Sequence, residues 1–193
     1  MTEAVSTRRR GATLERAILD AVLVQLNEVG FSALTMEGVA ACAATGKAAL
    51  YRRWPSKEHL VLEALQQALP LIDEVPDTGD VRKDLLVLLR RMAVLVNSPG
   101  GCAIQALLTD TKPDSSLFEL IHEHVMEPRK RAMLAVLRRG VERGEVRPDA
   151  VKRIVVETGP ALIVHHVLSR SGPVSDAVVR SIVDDVLLPI LRP

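Results

Sequence analysis

Apolar residues recur along the chain in steps of three and four, the period of one face of an α-helix, and no stretch carries a convincing strand pattern. Leu14, Ile18, Val22, Leu26 and Val29 place one such face on residues 12–29. Gly30 follows where a helix end favours a residue in the left-handed conformation. Thr35 suits an N-cap, because its hydroxyl can accept from a free amide two or three residues on. It opens a short helix from Met36 to Ala43, with Met36, Val39 and Ala40 inward and Glu37 at the positive helix end. Ala43-Ala44-Thr45 is then a tight turn, and the next helix runs from Gly46 to Arg53. Pro55 stops that helix and Ser56 caps the following one. Residues 57–73 carry a wide apolar stripe of Leu60, Val61, Ala64, Leu65, Ala68, Leu69 and Ile72.

The pattern continues after a loop at Pro76-Asp77-Thr78-Gly79-Asp80. Residues 81–97 form a strongly apolar helix that Asn97-Ser98-Pro99-Gly100-Gly101 ends. Residues 102–110 are almost wholly apolar, which predicts a short buried helix. Lys112-Pro113-Asp114 breaks it. A long helical stretch runs from Asp114 to about Arg143, with Pro128 inside to kink or split it. Gly144 ends that stretch, and Arg147-Pro148-Asp149 starts a helix over 150–169. Pro160 in that helix predicts a kink, which either accommodates packing or opens room for a ligand or partner. Ser175 caps a last helix to about Leu191. The sum is an all-α chain of about nine helices. Residues 1–55 read as a helix-turn-helix domain with a flexible arm at 1–10, and 56–193 as a second helical domain. The helix from Lys57 is expected to pack on both.

With 193 residues, 48% of them hydrophobic, the chain can bury a real core, and with 2% aromatics that core is aliphatic. A net charge of +1 implies no partner, but the positive charge is local: Arg8-Arg9-Arg10 and the run from Lys47 to Lys57 both precede residue 60. Cys42 and Cys102, each among apolar residues, form no disulfide framework or metal quartet and read as small core residues, with a redox role as the minor alternative. No charged-then-apolar leader and no apolar run of membrane-spanning length occurs, which points to a soluble cytoplasmic protein.

The stretch with the most chemistry is Thr45-Gly46-Lys47-Ala48-Ala49-Leu50-Tyr51-Arg52-Arg53-Trp54-Pro55-Ser56-Lys57. It holds four cations, no acid, and the chain's only Trp and Tyr. Two short helices joined this tightly after a longer one make a helix-turn-helix, whose second helix enters the DNA major groove by its first turn. Lys47 lies in that turn and can donate to guanine O6 or N7, or to phosphate. Gly46 and Ala48 are small enough for close backbone approach, and Ala49 offers a methyl to thymine. Thr45 flanks the helix. Arg52 is a further base or phosphate contact. Thr35 and Lys57 sit at helix starts where side chain and amides together face phosphate. Arg9 and Arg10 either reach the DNA backbone or minor groove or belong to a solvated tail. Trp54 reads as a core plug and Arg53 as a solvated or interface residue. The bland alternative for the whole run is a basic surface helix of some other helical protein.

On Gly30-Phe31, Leu34-Thr35-Met36, Val39-Ala40 and Gly46 to Glu58, the sequence resembles the TetR (tetracycline-repressor-like) transcriptional regulators, most strongly over Ala17–Leu65. The run from Pro128-Arg129 to Pro148-Asp149 looks like one common C-terminal type of that family. The chain departs from the pattern at Ala44, where the family often has Gly, and at Ala49, where Thr is common. Ala44 makes the turn either with ordinary backbone angles or, if φ is positive, under strain. The resemblance implies a phosphate contact for the Tyr51 hydroxyl and no catalytic residue, cofactor or metal. It implies a C-terminal ligand-binding and dimerisation domain whose last two helices form a four-helix seam with their symmetry mates. Val155, Val167, Val179, Ile182, Val183, Val186 and Leu187 are the candidate seam. A cavity for a small effector is implied too. Leu65, Leu89, Met92, Ile104, Leu108, Phe118, Met126 and Leu162 could line it, with His122 and His166 as its polar members. So few aromatics suggest a hydrophobic effector.

The sequence thus reads as a regulator, most simply a repressor, that binds a palindromic DNA operator as a homodimer and is released by its effector. An all-helical enzyme or small-molecule carrier with an incidental basic helix is the alternative. No phosphate loop or nucleophile elbow is present: Gly46-Lys47 lacks the upstream glycine and the following Ser or Thr. His122 with His124, and His165 with His166, point in different directions on a helix, so neither pair is a chelate by itself.

Overall fold

The computed structural model describes residues 11–69, 74–110, 115–169 and 172–193, and for Thr109 and Asp110 the backbone only. Among these residues every element is helical. Arg9, Arg10, the end of the helix expected over 57–73 and the break at 112–114 lie outside them. Two compact units form. One runs through Ala68 and includes Ala103–Phe118; the other is Leu69–Cys102 with Glu119–Pro193.

The first unit begins with α1 (Ala12–Ala33), α2 (Met36–Cys42), α3 (Lys47–Tyr51) and α4 (Lys57–Ala68). Ile18, Val22 and Leu26 of α1 are buried as their spacing predicts. Val29 is not: it is 47% exposed, because the chain leaves the helix at the next residue, Gly30 (φ 75, ψ 173), and its face turns outward. Thr35 caps α2, its hydroxyl accepting from the Gly38 amide at 3.0 Å. Gly38 has no side chain to hold α1 off: a Cβ there would lie 3.1 Å from Gln25 Oε1. α4 packs against α1 and belongs to this unit, so compactness extends past the expected boundary at residue 55.

The second unit contains α5 (Val81–Val96), α8 (Glu127–Glu142), α9 (Arg153–Ser169), α10 (Asp176–Ser181) and α11 (Leu188–Leu191). α6 (Pro99–Asp110) and α7 (Ser116–Ile121) are divided between the units. Leu85 and Leu89 of α5 meet Val136 and Leu137 of α8, Val156 and Ile163 of α9, and Val179, Val183 and Leu187 of the last helix in one aliphatic core. α9 carries Pro160 inside it, and the neighbouring Gly159 has a packing role: a Cβ there would come to 3.2 Å from both Leu89 and Leu187.

Proline placement explains the two departures from simple helices. His122–Met126 and Ile182–Leu187 are π-helical, joining α7 to α8 and α10 to α11. Each ends just before a proline, Pro128 or Pro189, which has no N–H for the carbonyl four residues back. The ladder slips by one residue instead, so the Glu127 amide bonds His122 O and the Leu188 amide Val183 O. The expected break at Pro128 is therefore a widened turn. α6 starts at Pro99, three residues before its expected start, because Pro fits a first turn and Ser98 accepts from the Gly101 amide at 3.1 Å. Its expected burial is incomplete: Cys102 is exposed and Leu108 is 41% exposed. Cys42 is exposed as well, at the edge of an open groove of about 650 Å³ between α1 and α2, so neither cysteine is a core residue.

A charged network at the base of α5 had no counterpart in the hydrophobic pattern. Asp84 is fully buried, and its Oδ1 accepts from the Thr78 amide and hydroxyl, both at 2.8 Å. Arg143 places Nη2 3.6 Å from the other Asp84 oxygen, Nη1 beside Asp77 and Nε on Glu145. Glu145 in turn accepts from the Val81 amide at 2.7 Å. On the rim, Arg82 forks onto Asp184 with bonds of 2.6 and 2.7 Å, Arg90 meets Asp176 at 2.6 Å, and Glu157 receives Arg153 and Lys130.

These partners hold four carboxyls below their ordinary range: Glu145 chiefly through the Val81 amide, Glu157 through Arg153, Asp176 through Arg90 and Asp184 through Arg82. A depressed folded-state pKa means stability that is present above the unfolded value and lost as pH falls through the folded one. The thermal midpoint should thus stay level near neutrality and drop as pH falls below about 4. Melting curves from pH 7 to 3 check this, and a midpoint unchanged down to pH 3 would contradict it.

Candidate nucleic-acid interface

The turn between α2 and α3 is built by backbone hydrogen bonds. The Thr45 amide reaches back to Ala40 O at 2.9 Å and the Ala44 amide to Ala41 O at 3.1 Å, the pairing that closes a helix through one left-handed residue. That residue is Ala44, at φ 51. The turn is therefore made under strain by a residue with a Cβ, at a cost of about 1–2 kcal/mol.

α3 has five residues, shorter than the expected 46–53, but its bonding continues beyond Tyr51: the Trp54 amide donates to Leu50 O at 2.9 Å before Pro55 ends it. Within this helix only Leu50 is buried. Lys47, Ala48 and Tyr51 face solvent, as do Gly46 before the helix and Arg52 after it, while Ala49 and Thr45 are half-buried. The exposed Thr35 begins α2 beside them. Lys47 Nζ lies 3.8 Å from Glu37, with both side chains largely in solvent.

Three ties fix this segment to its scaffold. Trp54 is 3% exposed, and its indole N–H donates to Glu63 of α4 at 2.8 Å. Its core position agrees with the reading of it as a plug. Arg53 pairs with Glu15 of α1. Lys57 is turned inward: its ammonium donates to Phe31 O at 2.9 Å and Leu34 O at 3.1 Å, and sits 4.1 Å from the centroid of the Phe31 ring. Neither the Trp54–Glu63 bond nor the Lys57 contacts had a signal in the local spacing, since their partners lie 9 to 26 residues away.

The remaining candidate residues are more dispersed. Of the ten cavity candidates, Leu65, Ile104, Leu108 and Phe118 fall in the first unit and Leu89, Met92, His122, Met126, Leu162 and His166 in the second. Leu65, Leu89 and Ile104 are buried, Leu108 is exposed, and the other six are half-buried. His122 stands beside Glu127 and Lys130. Among the described residues no three His, Cys, Asp or Glu side chains gather as metal ligands, and no single helix is long and apolar enough to cross a membrane.

The seam candidates need correction. Val179, Ile182, Val183 and Leu187 are at most 6% exposed within the single chain, because the last helix turns them onto α5 and α9. Val155, Val167 and Val186 are half-buried. The face of α9 that does look outward carries Ile154 and Leu168, each 70% exposed, with Ala161 and His165 between them at helical spacing.

Comparison with known proteins agrees with this geometry. Residues 18–64 match the family described as bacterial regulatory proteins, tetR family, and residues 75–186 the tetracyclin repressor-like C-terminal domain. The DNA-binding transcriptional repressor TetR of Mycobacteroides abscessus is 32% identical over 95% of this chain and 97% of its own. The crystal structure of the TetR family transcription regulator SCO0332 is 33% identical with a TM-score of 0.63, covering 93% of this chain and 99% of that one. The fatty acid degradation regulator FadR from Bacillus halodurans shares the fold at a TM-score of 0.72 and 17% identity, over 95% of this chain and 97% of that one.

Proposed function

The chain belongs to the TetR family and is a DNA-binding transcriptional regulator, and we propose that it is a homodimeric repressor that reads a palindromic operator and is released by a small hydrophobic effector. The observation that carries the reading is α3, a short helix tied down beyond its end by Trp54 and Arg53, which buries Leu50 and leaves Lys47, Ala48 and Tyr51 open to a groove. Lys47 reads a guanine edge or a phosphate, and Arg52 is the second cationic contact. The Tyr51 hydroxyl and Thr35 sit on phosphate. Thr45, Gly46 and Ala48 line the close approach, and the Ala49 methyl meets a thymine.

One such module covers few base pairs, so two are needed, and a two-fold dimer reads two half-sites. The outward stripe of Ile154, Ala161 and Leu168 on α9 supports a dimer seam there, with half-buried Val155 and Val167 at its margins. The aliphatic surroundings of Met92 and Leu162 favour an effector without flat aromatic rings. Effector and DNA then weaken each other's binding by one common factor, as linkage requires. A regulator of this kind works in the cytoplasm, where the DNA is.

Selection of genomic fragments on the pure protein tests the reading. Enriched fragments should share an inverted repeat, with half-sites about 10 base pairs apart or a multiple of that. Affinity should fall steeply between 50 and about 200 mM salt. No enrichment and no salt dependence would refute it.

A further inference from the structure

We infer that Lys57 is a positioning residue: it staples the end of α1 to the start of α4 and so fixes the frame in which α2 and α3 are held, rather than neutralising a phosphate. This inference rests on the DNA-binding reading for its functional consequence, though not for its geometry.

The last carbonyls of a helix have no partner within it and lie at the negative end of its dipole. α1 leaves helical geometry at Gly30 and ends at Ala33, so the carbonyls beyond Gly30 have no partner in a regular helix turn; Phe31 O receives only a long bond of 3.3 Å from the Leu34 amide. The Lys57 ammonium supplies donors to Phe31 O and Leu34 O, at 2.9 and 3.1 Å. The Phe31 ring lies 4.1 Å from the same nitrogen, close enough for a cation–π contact. A half-buried ammonium engaged three ways has little reason to turn out toward a phosphate, since doing so gives up its bonds to both carbonyls and its contact with the Phe31 ring.

The position of the staple matters more than its strength. Phe31 and Lys57 are the two ends of the segment that contains α2, the strained turn at Ala44 and α3. The staple closes that segment into a ring. Leu34, whose carbonyl is one of its acceptors, immediately precedes Thr35, the cap of α2. Loosening the staple frees the first turn of α2 and, through the α2–α3 turn, the angle at which α3 is presented. Sequence-independent attraction to DNA depends on charge and is not sensitive to that angle. Base reading is sensitive to it.

The test compares the full chain with Lys57→Met, which keeps an apolar stem of similar reach. Titrations use the selected operator fragment and an unrelated duplex of equal length. For the variant we expect roughly tenfold weaker binding to the operator, unrelated DNA within about twofold, and an unchanged slope of log affinity on log salt. A slope reduced by about 0.9 per protomer, with both DNAs weakened alike, identifies a phosphate contact and overturns the inference. Equal losses on both DNAs with the slope intact indicate a merely structural role and overturn it too.

Hydrogen exchange without DNA keeps the geometry testable by itself. Amides of residues 35–51 should exchange several-fold faster in Lys57→Met, and unchanged exchange refutes the staple. Phe31→Leu, which leaves both carbonyls in place, should shift the same amides in the same direction by less. A wild-type protein that binds no DNA would refute the functional reading and leave the exchange result to decide the staple.

Discussion

Replacing Asp84 with Ala should lower the stability of the second unit by about 3–5 kcal/mol, enough to threaten folding at 37 °C. Three groups would lose their acceptor together. The Thr78 amide and hydroxyl, both 2.8 Å from Oδ1, have their partner in that carboxylate, and Arg143 would face a cavity where it now faces a charge. Asp84 itself is fully buried, so a cavity left by its carboxylate replaces the lost partner poorly. The consequence spreads along the chain, because Arg143 also holds Asp77 and Glu145, and Glu145 holds the first amide of α5. Asp84→Asn keeps an acceptor for Thr78 and should cost less, while Thr78→Val should cost about 1–3 kcal/mol. Denaturant titrations followed by circular dichroism measure all three. A loss below 1 kcal/mol for Asp84→Ala would show the network to be incidental.

That network is also the clearest case of what the sequence could not disclose. Asp84 falls among Leu85, Leu86, Leu88 and Leu89, and nothing in its spacing separates a buried carboxylate from a solvated one. Its partners sit 6 residues before it, at Thr78, and 59 residues after it, at Arg143, and only tertiary packing joins the second to it. The inward turn of Lys57 is hidden for the same reason. Helix positions followed from local chemistry and were therefore legible: Gly30 and Gly144 do adopt positive φ at helix ends, and Thr35 and Ser175 do cap. Pro128 is expected to kink or split its helix, and the form this takes is a π-helical turn that absorbs the missing donor, as also happens before Pro189.

The same distinction separates the two halves of the candidate site. The reading helix is a contiguous segment, so its exposed cations and its one buried leucine could be anticipated from order alone. The last helix could not be oriented in this way. Val179, Ile182, Val183, Val186 and Leu187 form an apolar face whichever neighbour it meets, and periodicity does not say whether that neighbour belongs to the same chain. The structure turns four of the five onto α5 and α9 of the same chain.

Replacing Lys47 with Ala should weaken operator binding more than any other single change in the reading helix. A lost contact of this kind costs about 1–3 kcal/mol, and in a two-fold dimer it is lost twice, so about 2–6 kcal/mol per operator is expected. The fold should not suffer. The side chain is 68% exposed, and its partner Glu37 lies at 3.8 Å with 59% exposure. An exposed pair of that sort contributes about 0.2–1 kcal/mol, so the thermal midpoint should hardly move. The pattern of the loss also identifies the contact. If Lys47 donates to a guanine, the variant should become indifferent to that base pair, and changing the base should cost it nothing further. If Lys47 sits on a phosphate, all sequences should weaken alike and the salt slope should fall by about 0.9 per protomer. Fluorescence anisotropy with the selected operator and single-base variants separates these outcomes, and unchanged affinity for the operator would remove Lys47 from the reading surface.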